Sequence, residues 1–440
     1  MTPIRGRQHR PAIRMADRFG ERGVALPMAL ILLVVLSTMA AAVLAVGTSE
    51  TNIASNLVRS AQALYMAEAG IEAAFAAINV DPTSILAGAP ATLTNYAVAS
   101  PGAPLATYGN YAVQYRAVGA AGSNTVEVVA TGTTSNTGLG RATRTIRAFM
   151  TNTYTAVDAV RSDQGMQISG NAAVSGACGS VHSNAGLQFQ GSSSTIAVNA
   201  TSTGTVSTSG SSSPTIGGTQ ISGVPRRPVP PISAASALTA AETQAKNAYS
   251  AGATPPNIYL LNADGTIQQS SVSGSPPVVT YATIAGPLSN NGTWDNLKYR
   301  QPSGPNPATW EAGLTPGGAA PTISGIFYVT GNAAVKSGGS WTATVIATGD
   351  IDVTGSPTIT SVLTDTIFVA GDDIDVSGSP TLQDGIMAAH DDVEISGSPT
   401  MTGYIVAEGT VDISGNPTIT FGCGMNPPLT GSLWIIGWGY

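Results

Sequence analysis

Four corners of one kind recur near the C-terminus and restrict the fold more than any other feature of the chain. They are Gly355-Ser356-Pro357-Thr358, Gly378-Ser379-Pro380-Thr381, Gly397-Ser398-Pro399-Thr400 and Gly415-Asn416-Pro417-Thr418. Their glycines stand 23, 19 and 18 residues apart. A period near twenty with short apolar runs is the signature of a solenoid. The flanking columns agree. Ile351, Ile374, Val393 and Val411 lie four residues before each glycine, and Val353, Val376, Ile395 and Ile413 lie two before. Ile359, Leu382, Met401 and Ile419 lie four after. Alternation on both sides of a turn predicts short parallel strands whose inward residues stack from coil to coil. Glycine permits an unusual dihedral at the corner, and proline fixes the next one. A three-sided β-helix coil fits these lengths.

The other end of the chain is of a different kind. Residues 24–46, VALPMALILLVVLSTMAAAVLAV, contain no charged side chain. As a helix this run is about 35 Å long, enough to cross a hydrocarbon core. Arg5, Arg7, Arg10, Arg14, Arg18 and Arg22 precede it, a bias that holds the N-terminus in the cytoplasm and sends the remainder outward. The run continues into a polar helical pattern and lacks the short core and small-residue cleavage site of a secretory signal. Ile53, Leu57, Leu64, Ile71, Phe75 and Ile78 then recur at helical spacing, so one helix is predicted over 24–78. Pro27 is tolerated in its first turn, and Asp81-Pro82 ends it. Residues 109–118, 125–133 and 140–150 read as strands between Gly, Ser and Asn turns. The spine helix offers that small sheet an apolar face.

Arg22-Gly23, the apolar helix from Val24 and the segment Ala63-Leu64-Tyr65-Met66-Ala67-Glu68-Ala69-Gly70-Ile71-Glu72-Ala73-Ala74 together resemble the N-terminus of type IV pilin-like proteins, and of PilX-like minor pilins in particular. The resemblance covers residues 1–80 and, more loosely, 80–150. It implies a basic leader that a prepilin peptidase cuts between Gly23 and Val24. It also implies a helix that anchors the subunit in the inner membrane and later packs in a filament core with other pilin or pseudopilin subunits. Two departures matter. Val24 would be the first mature residue, where major pilins carry Phe. Met28 would be the fifth, where they carry Glu. The missing Glu resembles PilX-like and tip-type subunits rather than a major pilin.

The chain has 440 residues, enough for two or three domains. Only 10% are charged, with 51 Gly and 28 Pro, a composition common in exported β-rich proteins; persistent β-branched residues separate it from a disordered chain. Net charge is −7, and loss of residues 1–23 makes it −11. Such a chain lacks the clustered Lys and Arg that phosphate contacts require, so nucleic acid is excluded as a partner. We divide it into a basic leader (1–23), a transmembrane and spine helix (24–80) and a pilin-like β-meander (81–155). A first part of the β-solenoid follows (156–223), then a Pro-rich insertion with a helix over 233–250 (224–320). Solenoid repeats with an end cap complete it (321–440). The fold class is thus mainly β with one long N-terminal helix, a small antiparallel sheet and a parallel β-helix. Ile168-Ser169-Gly170-Asn171-Ala172-Ala173-Val174 recurs in form as Val329-Thr330-Gly331-Asn332-Ala333-Ala334-Val335, which reads the insertion as interrupting one continued domain.

Asp352, Asp375, Glu394 and Asp412 sit three residues before each repeat glycine, with Asp350, Asp372, Asp373, Asp391, Asp392 and Glu408 nearby. Stacked coils set such like charges roughly 5 Å apart, a repulsion that water, salt or a cation must screen. A solvated acidic face is the simpler reading, since the spacing matches no calcium loop; an oxygen-rich ladder for Ca²⁺ is the alternative. Cys178 and Cys423 allow either one long-range disulfide or two separate buried thiols. Cys178 and His182 form a lone C-x₃-H pair, too few ligands for structural zinc. His9 lies in the leader, and His390 completes the histidines. No nucleophile elbow and no phosphate loop occurs, and no cofactor is called for. Ser432 to Tyr440, with Trp434, Trp438 and Tyr440, read as an apolar strand or end cap covering the last coil.

The resulting expectation is a non-enzymatic minor pilin or pseudopilin, with the solenoid head outside the cytoplasm on a pilus or cell surface, serving filament assembly, tip presentation or adhesion. A membrane-anchored β-solenoid adhesin outside any filament is the first alternative. A carbohydrate-active β-helix enzyme is the second, because some use acidic clusters on such coils.

Overall fold

The computed structural model describes residues 25–80, 82–118, 125–135, 141–152, 156–191, 193–211, 213–227, 229–315, 317–425 and 433–439. The leader, the Gly23–Val24 junction, His9 and Tyr440 lie outside them. The chain forms two compact units. One comprises the N-terminal helix as far as Ile71 with Val98–Val113 and Ala130–Ile146; the other comprises Glu72–Ala97, Gln114–Val129 and Arg147–Tyr440.

Helix α1 spans Ala25–Asn79, and the short α2 spans Pro82–Ala87. From Leu26 to Val58 the large apolar side chains of α1 are exposed. Its buried stripe is Ala63, Met66, Ala67 and Ile71, continued by Ala74 and Ile78. This differs from the expected stripe, because Ile53 and Leu57 are exposed. The buried stripe begins only at Ala63, where the helix and sheet backbones approach closely. A Cβ on Gly132 would stand 2.1 Å from the Ala63 carbonyl oxygen and 2.3 Å from the Ala67 nitrogen. A Cβ on Gly70 would stand 3.0 Å from that of Ala130. Small residues, not large ones, make this contact.

Strands β1 (Thr94–Asn95), β2 (Gly109–Ala117), β3 (Thr125–Thr134) and β4 (Thr143–Thr151) form a sheet in that order. The C-terminal strand Trp434–Gly439 completes it, antiparallel to β4. The end cap expected for the last coil is therefore a sheet edge strand instead. The last coil needs no cap, because other coils already cover it.

Those other coils are the earlier ones. From 160 the chain winds outward in three-sided coils. Val160–Ser162, Val181–Ser183, Ala200–Ser202 and Gln220–Ser222 stack on a first face. Met166–Ser169, Leu187–Gln190 and Val206–Ser209 stack on a second. Ala173–Ser175, Thr195–Ile196 and Thr215–Ile216 stack on a third. A second block winds from Gly325–Val329 to Thr418–Thr420 with the same three faces and parallel ladders throughout. Its last coil docks on the first coil of the early block. Ile405 pairs with Val160, Val411 with Met166 and Thr418 with Ala173. In space the late block precedes the early one, and the stack is continuous while the chain is not. The Cys178–Cys423 disulfide, with Cα atoms 5.2 Å apart, closes this seam.

Inward residues of all coils share one core. The corner glycines form a single column across the seam. Gly355, Gly378, Gly397, Gly415, Gly170 and Gly191 all have φ between 75 and 85°. Gly170 and Gly331, matched by sequence likeness, occupy different corners. Gly170 follows a second-face strand and stacks on Gly415, whereas Gly331 separates the first face from the second.

Residues 224–320, read as an insertion, do two things. A strap, 224–257, carries helix α3 (Ala234–Ser250). The strap retraces the stack. Val224 N–H donates to Ser202 O, Arg227 N–H to Asn184 Oδ1, Ile232 N–H to Glu408 Oε1, and Gln244 Nε2 to Val362 O. The following strands join the far end. Ile258–Leu261 runs parallel to Gly325–Val329, and Thr309–Ala312 runs parallel to Asn332–Val335. Tyr259, Phe327 and Trp341 stack beneath them, with ring centroids 5.1 and 4.8 Å apart. Each such buried side chain contributes about 1.5–3 kcal/mol.

Candidate functional site

The three faces differ in chemistry, and each difference is set by which residue points outward in every coil. On the first face the outward column reads Ile346, Val369, Ala388, Val406, Arg161, His182, Thr201 and Ile221. Helix α3 packs against the strands bearing its apolar end, with Ala237, Ala241 and Ala245 buried. The polar end lies beneath residues 224–227. Asp158 is buried there, 2.6 Å from Arg161 and 2.5 Å from Arg227.

The second face carries the acidic column. Asp352, Asp375, Glu394 and Asp412 are paired neighbours, coil by coil, and the column continues across the seam as Gln167 and Gln188. Burial first, then the flanking Asp352 and Glu394, raise the Asp375 carboxyl above the usual range. Burial and Glu394 do the same to Asp412. A raised carboxyl pKa means that the folded chain holds these protons more tightly than the unfolded one. The ladder therefore costs stability at neutral pH, and the cost fades as pH falls through the raised values toward the ordinary carboxyl range. Asp375→Asn should accordingly raise the thermal midpoint at pH 7 by about 0.5–1 °C, a few tenths of a kcal/mol. Calorimetry at pH 7 and pH 4 checks this: the gain should shrink at the lower pH.

A second acidic set occupies the corner before that column. Asp350, Asp372 and Asp373 bring carboxylate oxygens within 4.8 Å of one another, as do Asp373, Asp391 and Asp392. These oxygens are hard donors of the kind that hold Ca²⁺. Several already have partners: Asp373 Oδ1 accepts the Asp392 N–H at 2.9 Å, and Asp392 Oδ1 accepts the Thr410 N–H at 2.5 Å. Asn332 Nδ2 donates to Asp350 Oδ2 at 2.8 Å. The set is thus a ladder of side chains capping the next coil's backbone. Asp372 and Asp391 are pushed up by burial and by their acidic neighbours. Sequence spacing showed the acidic column but not this capping, which depends on corner geometry.

The third face is neutral. Its outward columns hold Thr358 and Thr360, Thr381 and Gln383, Thr400 and Thr402, Thr418 and Thr420 in successive coils. Thr400, Thr402, Thr418 and Thr420 are exposed.

Other expected positions fall as follows. Cys178 is disulfide-bonded, so it is no ligand beside His182. The His182 ring is held by Thr201 and Asn184, each at 2.9 Å. His390 is exposed at 3.0 Å from Glu408, whose hydrogen bond raises its pKa.

Comparison with known proteins adds one segment-level match. Residues 22–72 match the family model described as PilX N-terminal. No curated protein matches the chain. Among solved structures, the crystal structure of the competence-associated pilin ComZ from Thermus thermophilus is similar at 12% identity, over 86% of this chain and 97% of that one. Its TM-score of 0.31 carries no argument about this chain.

Proposed function

We propose, from the premise that residues 22–72 are a PilX-type N-terminal segment, that this chain is a minor pilin or pseudopilin with a large solenoid head. The observation that carries the reading is the uncovered apolar surface of α1 from Leu26 to Val58, which calls for a hydrocarbon or protein environment. In this reading the helix first anchors the subunit in the inner membrane and then packs with other pilin-like subunits. Met28 at the fifth mature position supports a tip or initiating subunit over a repeating one. The head is bulky, and a domain of that size on every subunit would crowd a helical fibre. Its neutral and acidic faces are then surfaces for adhesion or protein contact. No catalytic role is proposed for the head.

The test is the mature N-terminus, determined by mass spectrometry in cells with and without prepilin peptidase. A start at Val24 that disappears without the peptidase is expected. An intact Met1, or a cut beyond Val46, would sink the reading and leave an anchored or a secreted β-solenoid surface protein, respectively.

A further inference from the structure

The strap hides the polar end of the first face, and one buried group there has both ring nitrogens committed. The His182 side chain has no exposed surface. Its Nε2 meets Asn184 Oδ1, and its Nδ1 meets Thr201 Oγ1. Asn184 Oδ1 is an acceptor, since it also takes the Arg227 N–H at 2.8 Å. The Nε2 therefore carries the proton of the neutral ring, and Nδ1 accepts from the Thr201 hydroxyl. Asn184 Nδ2 completes the link by donating to Arg227 O at 2.6 Å and Asp163 Oδ1 at 2.7 Å. One amide thus joins the histidine to the strap backbone.

The surrounding charges are Asp158 and Arg161 beside the coil strand, Asp163 after it, and Arg226 and Arg227 on the strap. Two carboxylates face three guanidiniums. Asp158 serves both Arg161 and Arg227, and Arg226 pairs with Asp163. A second proton on His182 adds a fourth positive charge where water is excluded, the setting in which like charges repel most strongly. Arg161 belongs to the first-face ladder and cannot leave without breaking it. Arg227 belongs to the strap, and about a third of its side chain is exposed. Arg226 is on the strap as well, so these two are the cations free to move, and Arg227 is the one that shares the buried Asp158.

We infer that His182 is an acid-sensing latch: its protonation releases residues 224–227 and 229–232 of the strap and uncovers the polar end of the first face while the coils stay folded. Burial, ahead of Arg227 and Arg161, lowers the pKa of His182. The sign follows. The latch is intact above the ordinary histidine value and weakens as pH falls below it toward the lowered folded value. Glu408, which accepts the Ile232 N–H, also meets His390; it marks where the released segment ends and α3 begins to hold.

The test is hydrogen exchange by mass spectrometry on the full chain in lipid nanodiscs at pH 7.5 and pH 5, corrected for the intrinsic rate at each pH. Peptides over 224–232 should lose at least tenfold protection at pH 5, while those over 366–389 keep theirs. His182→Gln, which hydrogen-bonds but does not titrate, should keep the strap protected at pH 5. Three results would overturn the latch: no loss in the wild type, equal loss in His182→Gln (titration of Asp158 or Asp163 instead), or joint loss across the coils. If His182→Gln fails to protect 366–389 at pH 7.5, Arg227→Gln decides. Its strap should be open already at pH 7.5 and change less than twofold by pH 5; a further tenfold loss there refutes the proposal.

Discussion

Gly397→Val should unfold the head's late coils, with a loss of about 2–6 kcal/mol. Two costs add. Gly397 has φ of +85°, a conformation that strains a β-branched residue by about 1–3 kcal/mol. A Cβ there would also stand 2.3 Å from the Gly378 carbonyl oxygen and 2.9 Å from its nitrogen. Both neighbours are backbone, so relief requires coils to separate, and overpacking of that sort costs a further 1–3 kcal/mol or so. Gly422→Ala is the control, because nothing lies within 4 Å of its added Cβ. Urea unfolding followed by circular dichroism measures both. A midpoint for Gly397→Val equal to that of the control would show that the glycine column is not what holds the corner.

Loss of the seam disulfide has the second large effect. Cys178 and Cys423 are 245 residues apart, and chain entropy assigns a loop of that length a ceiling of about 5 kcal/mol. The double variant Cys178→Ser, Cys423→Ser should lose roughly 3–5 kcal/mol in urea. Reductant should lower the wild type to the same midpoint and leave the double variant unmoved. The ladders across the seam remain in either case, so the first coil of the early block should open before the late block does. Coincident wild-type midpoints with and without reductant would remove the bond from the account.

The helix and the repeat columns were legible in the sequence for a physical reason: both are periodic. Ile351, Val353 and Ile359 alternate about a corner, and each is buried as the alternation requires. The acidic column followed from the same register. The order of the coils did not. Every coil carries similar inward residues, so nothing local says that Val411 must find Met166 rather than a sequence neighbour. The strap was hidden for a related reason. Arg226 and Arg227 read as part of a Pro-rich insertion, because Asp163 and Asp158 lie 63 and 69 residues away. The α1 stripe departs from its periodicity at Ile53 and Leu57, which are exposed, and the small residues Ala63 and Ala67 that face Gly132 carry no periodic signal, since periodicity marks large apolar residues.

The permuted winding has a mechanical consequence. The chain reaches the stack at Val160 and leaves it after Thr420, at adjacent coils in the middle rather than at opposite ends. Tension applied between residue 156 and residue 433 runs along the chain to Cys178, crosses the disulfide and continues from Cys423. Everything between those cysteines lies off the load path. A pull that would unravel an end-tethered solenoid coil by coil reaches here only the first coil of the early block before one covalent link bears it, and the strap, the later coils of the early block and the late block lie off the path.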